Sequence, residues 1–159
     1  IIEREKNVLL LILPRYAHIK PQQELTKQLH LEDNVQFITE NVAIEEYVNL
    51  ADVVALPYLN LLGTEGNPSC MLEAMACKTP VITSDLPELR EIAEEIVEFV
   101  KAGNVQELAG KIVGILKQKG QKKIEKAFEK AQEFDSKRIA HDFYCLYARI
   151  STIFYTKKP

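Results

Sequence analysis

Over its first hundred residues the chain alternates short apolar runs with segments whose apolar positions recur at helical spacing. Residues 8–13, Val-Leu-Leu-Leu-Ile-Leu, form an unbroken apolar run of strand length, which predicts a strand buried on both faces. Pro14 ends it, and Pro21 is placed to open a helix carrying Leu25 and Leu29 toward His30. Residues 35–38 predict a second strand, 44–50 a helix, and 53–56, before Pro57, a third strand. After a loop over 58–66, the pattern predicts a helix over 68–77, a strand over 80–84, a helix from Pro87 or Glu88 to about 94, and a strand over 96–100. Strands and helices alternating at such short intervals predict parallel β-α units: an α/β, Rossmann-like, doubly wound sheet with helices on both faces.

From Asn104 onward the period is helical throughout, a C-terminal extension over 104–159. Val105, Leu108, Ile112, Ile115 and Leu116 share one spacing, Gly120 interrupts it, and Ile124, Ala127, Phe128 and Ala131 resume it. Asp135 and Ser136 are suited to cap a last helix bearing Ile139, Phe143, Leu146, Tyr147, Ile150 and Phe154. That aromatic stripe, with Tyr144 and Tyr155, reads as core and interface packing rather than as a membrane anchor.

Composition narrows the classes. The 159 residues are 47% hydrophobic, enough for one domain with its own core. A net charge of −3 argues against nucleic-acid binding, and the basic stretch 117–130 is interleaved with Glu125 and Glu129 as on a solvated helix. Cys70, Cys77 and Cys145 are odd in number and lack metal-ligand spacing, so they read as reduced cysteines. No apolar run is long enough to cross a bilayer, and His18, His30 and His141 are scattered and read as surface or core residues. Neither a G-x-G-x-x-G nor a P-loop is present.

The segment with the most chemistry is 64–76, Thr-Glu-Gly-Asn-Pro-Ser-Cys-Met-Leu-Glu-Ala-Met-Ala. Asn67 can cap a helix and Pro68 suits its first position, which places Glu65 in the loop and Glu73 in the second turn. The amides of Ser69 and Cys70 then point along the positive end of the helix, a ready site for an anion such as a phosphate. Glu73 stands among apolar neighbours, where a carboxylate needs a partner, and a pair of sugar or ribose hydroxyls would serve. The competing reading gives Glu73 a structural salt bridge to Lys78 or Arg90.

The string Glu65-Gly66-x-Pro68, Leu72-Glu73-Ala74-Met75-Ala76, Thr79-Pro80-Val81-Ile82, Glu88 and Arg90-Glu91-Ile92 resembles the E-x(7)-E segment of the retaining GT-B glycosyltransferases of the large family 4. Residues 34–37 resemble that family's third strand, and 51–57 its fourth, whose carboxyl end opens onto the donor site. The likeness covers about residues 7–147 and implies the C-terminal, donor-binding half of a GT-B enzyme. By this resemblance, Glu65 would hold hydroxyls of the transferred sugar and act at the catalytic centre, and Glu73 would hold the nucleotide ribose. Gly66, Asn67 and Pro68 would line the sugar, the amides of Ser69 and Cys70 would face the diphosphate, and Thr39 and Glu40 would lie against the base.

The implied reaction is retaining hexosyl transfer from a nucleoside diphosphate sugar, with no metal or other cofactor. The implied acceptor is a saccharide or lipid-linked molecule presented by an N-terminal domain. The implied setting is the cytoplasm near the inner membrane face, with peripheral membrane association among the expected contacts and polysaccharide or glycolipid synthesis as the role. Two departures stand out: Thr39 and Lys78 occupy positions where the family usually has glycine. The family's first strand, first helix and basic diphosphate clamp are expected to be absent, since the likeness begins past them; Arg15 and Lys20 read as a solvated loop rather than substitutes. Such a gap would leave unpaired edges beside the second and fourth strands. The chain alone is then expected to bind donor weakly and not to turn over. Two alternatives stay open: a non-catalytic Rossmann-like interaction module or decayed fragment, and a GT-B epimerase of nucleotide sugars.

Overall fold

The computed structural model describes residues 1–3, 5, 7–14, 19–62, 68–93, 95–117 and 121–156, with side chains at 121–122 and 153–156 excepted. Glu65, Gly66, Asn67, Arg15, His18 and Gly120 lie outside the described residues. The chain divides into two compact units, residues 1–44 and 45–159.

In the first unit, strand β1 (Leu10–Ile12) and strand β2 (Val35–Phe37) run parallel, with Leu10 opposite Val35 and Ile12 opposite Phe37. Between them lie helix α1 (Lys20–Gln28), with Pro21 in its first turn, and a 3-10 turn over Glu32–Asn34. The chain leaves α1 through His30 at a φ of 53°, where the His30 N–H donates to Lys27 O and the Leu31 N–H to Thr26 O. Asn34 Nδ2 donates to Val8 O at 2.9 Å, tying the turn to the approach of β1. The expectation that the first strand is buried on both faces is corrected: Leu9 is 55% and Leu10 50% exposed. The reason is a lack of cover, since α1 buries none of its own residues and Leu25 and Leu29 are themselves exposed.

The second unit begins within helix α2 (Ile44–Leu50) and contains a three-stranded parallel sheet in the order β3 (Val54–Leu56), β4 (Val81–Ser84), β5 (Glu98–Val100). Helix α3 (Ser69–Ala76) makes the β3–β4 crossover, and α4 (Pro87–Ala93) the β4–β5 crossover. Every residue of the central β4 is buried, as an unbroken apolar-and-hydroxyl strand covered on both faces requires. Its Thr83 keeps a hydrogen bond to Leu56 O at 3.1 Å, so the hydroxyl is not stranded in the core. Among the described residues the parallel strands form two ladders, β1–β2 and β3–β4–β5.

The core gathers Met71, Ala74 and Met75 of α3, Val81, Leu89, Ala93 and Val97, together with Ala127 and Ala131 of helix α6 (Gln121–Gln132). Helix α5 (Val105–Lys117) starts at Asn104, whose Oδ1 accepts from the Glu107 N–H, while Glu107 reaches back to the Lys101 N–H. Glu98 on β5 joins both helices to the sheet through Lys111 at 3.3 Å and through Lys123. Helix α7 (Ser136–Thr156) is capped by Asp135, which accepts from the amides of Lys137 and Arg138. Of the reading of its stripe as core and interface packing, the core part is corrected: Ile139, Phe143, Tyr144, Leu146, Tyr147 and Ile150 are exposed. Phe143 stacks on Tyr147, with ring centroids 6.3 Å apart.

Helix α3 ends on a residue with a backbone cost. Lys78 sits at a φ of 57°, its N–H donating to Met75 O and the Thr79 N–H to Ala74 O, the hydrogen-bond pattern of a glycine C-cap. What a lysine adds is reach: Nζ lies 2.9 Å from Glu125 and 4.6 Å from the Phe128 ring centre, both on α6. A left-handed non-glycine residue costs about 1–2 kcal/mol. An exposed ion pair returns about 0–1 kcal/mol and an exposed cation–π contact about 0.5–1 kcal/mol. The terms nearly cancel, so Lys78→Gly is expected to change stability by less than about 1 kcal/mol. Lys78→Ala keeps the cost and loses both contacts, and should be the less stable variant by about 1 kcal/mol in urea titration. The reverse order would show that the backbone cost is not what glycine relieves.

A second expectation concerns pH. Burial pushes the Glu98 carboxyl up, but the Lys123 and Lys111 ammonium groups outweigh it and hold it below its usual value. A carboxyl depressed in the fold contributes stability above its unfolded value, lost as pH falls through the folded one. Glu98→Gln should therefore flatten the acid limb of a stability–pH curve below about pH 4.5. An unchanged acid limb would remove Glu98 from the account.

Candidate functional site

Helix α3 places the chemistry of the 64–76 segment that the structure describes. It begins one residue later than the sequence predicts: Pro68 is the N-cap with an extended ψ of 118°, and among the described residues no side chain caps the helix. Pro68 O accepts from the Met71 N–H at 3.0 Å, which leaves the amides of Ser69 and Cys70 as the leading donors of the helix. Among the described residues no side chain or loop carbonyl accepts from either of them. Ser69 is exposed and Cys70 half-buried, while Pro68 behind them is buried. Helix α3, the next helix after β3, thus opens on two amides without a described acceptor.

Glu73 is exposed, against the expectation of an apolar setting. Its sequence neighbours are apolar, but the helix turns them away. Met71, Ala74 and Met75 face the core, whereas Ser69, Glu73 and Ala76 share the solvent side. The salt-bridge reading fails as well: Lys78 is engaged by Glu125 and Arg90 by Asp85, and among the described residues Glu73 forms no ion pair. Glu73 thus stands four residues after Ser69 on one face, one turn from the helix's positive end. An exposed carboxylate next to a row of amide donors can accept from a pair of hydroxyls while the amides hold an anion.

Thr39 and Glu40 belong to the first unit, just past β2, and are exposed there; Ile38 before them is buried and donates its amide to Ile12 O. Lys20 is the first residue of α1 and exposed. No three His, Cys, Asp or Glu side chains come together as a cation site among the described residues.

Sequence reasoning missed Tyr58. It follows β3, packs against the core and brings its hydroxyl to 3.3 Å from Cys70 Sγ. Burial and the Cys70 contact push the phenol well above its ordinary range, so it stays protonated. A tyrosine directly after a strand ending in proline was the available signal, but nothing in the sequence links it to a thiol twelve residues on.

The profile described as glycosyl transferases group 1 matches residues 2–134. This chain belongs to the group 1 glycosyltransferases. Among solved structures, it is similar to sucrose-phosphate synthase from Thermosynechococcus elongatus, with 26% identity and a TM-score of 0.76 over 91% of this chain and 39% of that one. A glycosyltransferase from Rickettsia africae ESF-5 superposes with a TM-score of 0.79 at 18% identity, over 91% of this chain and 40% of that one. Anabaena Alr3699/HepE in complex with UDP gives a TM-score of 0.70 at 20% identity, over 91% of this chain and 41% of that one. No curated protein matches. The parallel α/β architecture is thus that of the C-terminal Rossmann-like half of GT-B glycosyltransferases, and the chain spans about two fifths of the length of these relatives.

One consequence of the Glu73 geometry is measurable without a ligand. Burial raises the Cys77 thiol, and the Glu45 and Glu73 carboxylates raise it further. Removing a nearby negative charge favours the thiolate, the species that reacts. Glu73→Gln is therefore expected to speed iodoacetamide labelling of Cys77 at pH 8 by about twofold, read by peptide mass spectrometry. An unchanged rate would place the Glu73 carboxylate away from Cys77.

Proposed function

We propose that the second unit binds the donor of a retaining glycosyltransferase, a nucleoside diphosphate sugar, and that α3 is the element that grips it. The observation that carries this reading is the shared solvent face of α3: the leading amides at Ser69 and Cys70, with Glu73 one turn on. In this reading the two amides meet the diphosphate, Glu73 accepts from the ribose hydroxyls, and Pro68 lines the sugar. Glu65, Gly66 and Asn67, outside the described residues, take the roles their family positions imply: Glu65 on the sugar hydroxyls, Gly66 and Asn67 beside it. A saccharide or lipid-linked acceptor comes from a further domain, and residues 104–159 serve as the helical extension of the donor domain.

Loss of a diphosphate leaving group puts negative charge where the helix's positive end already points. Fixed dipoles of that kind stabilise a developing anion without reorganising. No metal is required for that step, so EDTA is expected to leave nucleotide binding unchanged. Relatives support the ligand class: the Anabaena protein is described in complex with UDP and with UDP-glucose.

Calorimetric titration with UDP, GDP, ADP and UDP-glucose tests the reading. Saturable binding of one base is expected, and Glu73→Ala should weaken it by about ten- to a hundredfold, the value of one or two hydrogen bonds to a charged acceptor. Binding of none of them by the wild-type chain would favour a non-catalytic module of the same fold. Binding unaffected by the substitution would move the ribose contact elsewhere.

A further inference from the structure

The contact between Tyr58 and Cys70 lies where β3 ends and α3 begins. The Tyr58 amide donates to Leu56 O at 3.0 Å, which folds the residue back over the strand end, and its ring packs on the core. Its hydroxyl reaches Cys70 Sγ at 3.3 Å, in a half-buried position. Cys70 is the second residue of α3, so the same residue contributes the thiol to Tyr58 and one of the two leading amides. Among the described residues no side chain caps the helix at this end. Among the described residues, the Tyr58–Cys70 contact is thus the side-chain hydrogen bond that ties the first turn of α3 to the segment after β3.

Resting on the donor-site reading above, we propose that Tyr58 is a positioning residue for the diphosphate. Held on Cys70, its hydroxyl sets the first turn of α3 so that the Ser69 and Cys70 amides converge on one anion. Hydrogen-bond recognition of a phosphate by amides tolerates displacements of only about 0.5 Å, so a turn free to rock would bind it less well. The core side of the helix, anchored by Met71 and Met75, cannot supply this constraint alone, because both residues lie beyond the first amides.

The test compares UDP with UMP, which share base and ribose and differ in the terminal phosphate, in parallel with GDP/GMP and ADP/AMP. In Tyr58→Phe, which keeps the ring, affinity for the diphosphate should fall by about two- to fivefold, with the monophosphate changed less than about twofold. Cys70→Ala should reproduce that loss, and the double variant should be no worse than either single one. Cys70→Ser, which restores a hydrogen-bonding partner, should recover most of it. Thermal melts of the four variants report whether each is folded. Equal losses for diphosphate and monophosphate, additive losses in the double variant, or wild-type affinity in Tyr58→Phe would each overturn the proposal. A wild-type chain that binds no nucleotide would overturn the donor-site reading itself, and this inference with it. The two failures are distinguishable, because the second appears before any substitution is made.

Discussion

Burial of Met71, Ala74 and Met75 against β4 and α6 is the interaction on which the second unit depends. These side chains are wholly buried, and α3 has only eight residues with which to hold its place. Truncating a buried methionine to alanine typically costs about 2–5 kcal/mol, whereas the exposed Lys78–Glu125 pair returns at most about 1 kcal/mol. The helix is therefore held by its apolar stripe, and the polar contacts at its two ends adjust its direction. Every proposed donor contact in the second unit that the structure describes is carried by this helix, at its N-terminal turn or along its outer face.

The two ends of α3 are solved differently. At the C-terminal end, Lys78 takes the left-handed turn in which the family usually has glycine and spends its side chain on Glu125 and Phe128 of α6. Thr79 completes the turn, its hydroxyl donating to Val48 O at 2.8 Å and so fastening α2 to the same corner. At the N-terminal end no side chain among the described residues caps the amides, and Tyr58 is tethered to the helix through Cys70. An end that is tied but left uncapped is what an anion-binding helix requires, since a capping side chain would occupy the donors the ligand needs.

Much of this was legible in the sequence because the signals were local. The alternation of strands and helices, Pro21 in the first turn of α1, the Asp135 cap and the left-handed cost at Lys78 each depend on a few adjacent residues. The family string around Glu73 was legible for the same reason. Most of the misreadings concern what lies opposite a residue. An apolar run was taken as evidence of cover, but Leu9 and Leu10 are half exposed because nothing described packs over them. Glu73 was judged by its neighbours in sequence, which a helix distributes around its axis. Asn67 was given the cap, and Pro68 holds that position because its extended ψ ends the loop. The Tyr58–Cys70 contact had no local signature at all.

The arrangement on α3 follows from phase. Met71 and Met75 are four residues apart, as are Ser69 and Glu73, and the two pairs are offset by two residues. At about 100° per residue, that offset turns them about 200° apart, nearly opposite faces of one helix. The same spacing that sends two methionines into the core therefore sends a serine and a carboxylate to the outer face. Shifting the segment by two positions relative to the core would put Glu73 where Met75 lies. An unpaired carboxylate there would cost several kcal/mol, comparable with everything Met75 contributes. The register of α3 is thus fixed from both sides, by what must be buried and by what cannot be. With the register fixed, the distance along the helix from the leading amides to Glu73 is set at about one turn.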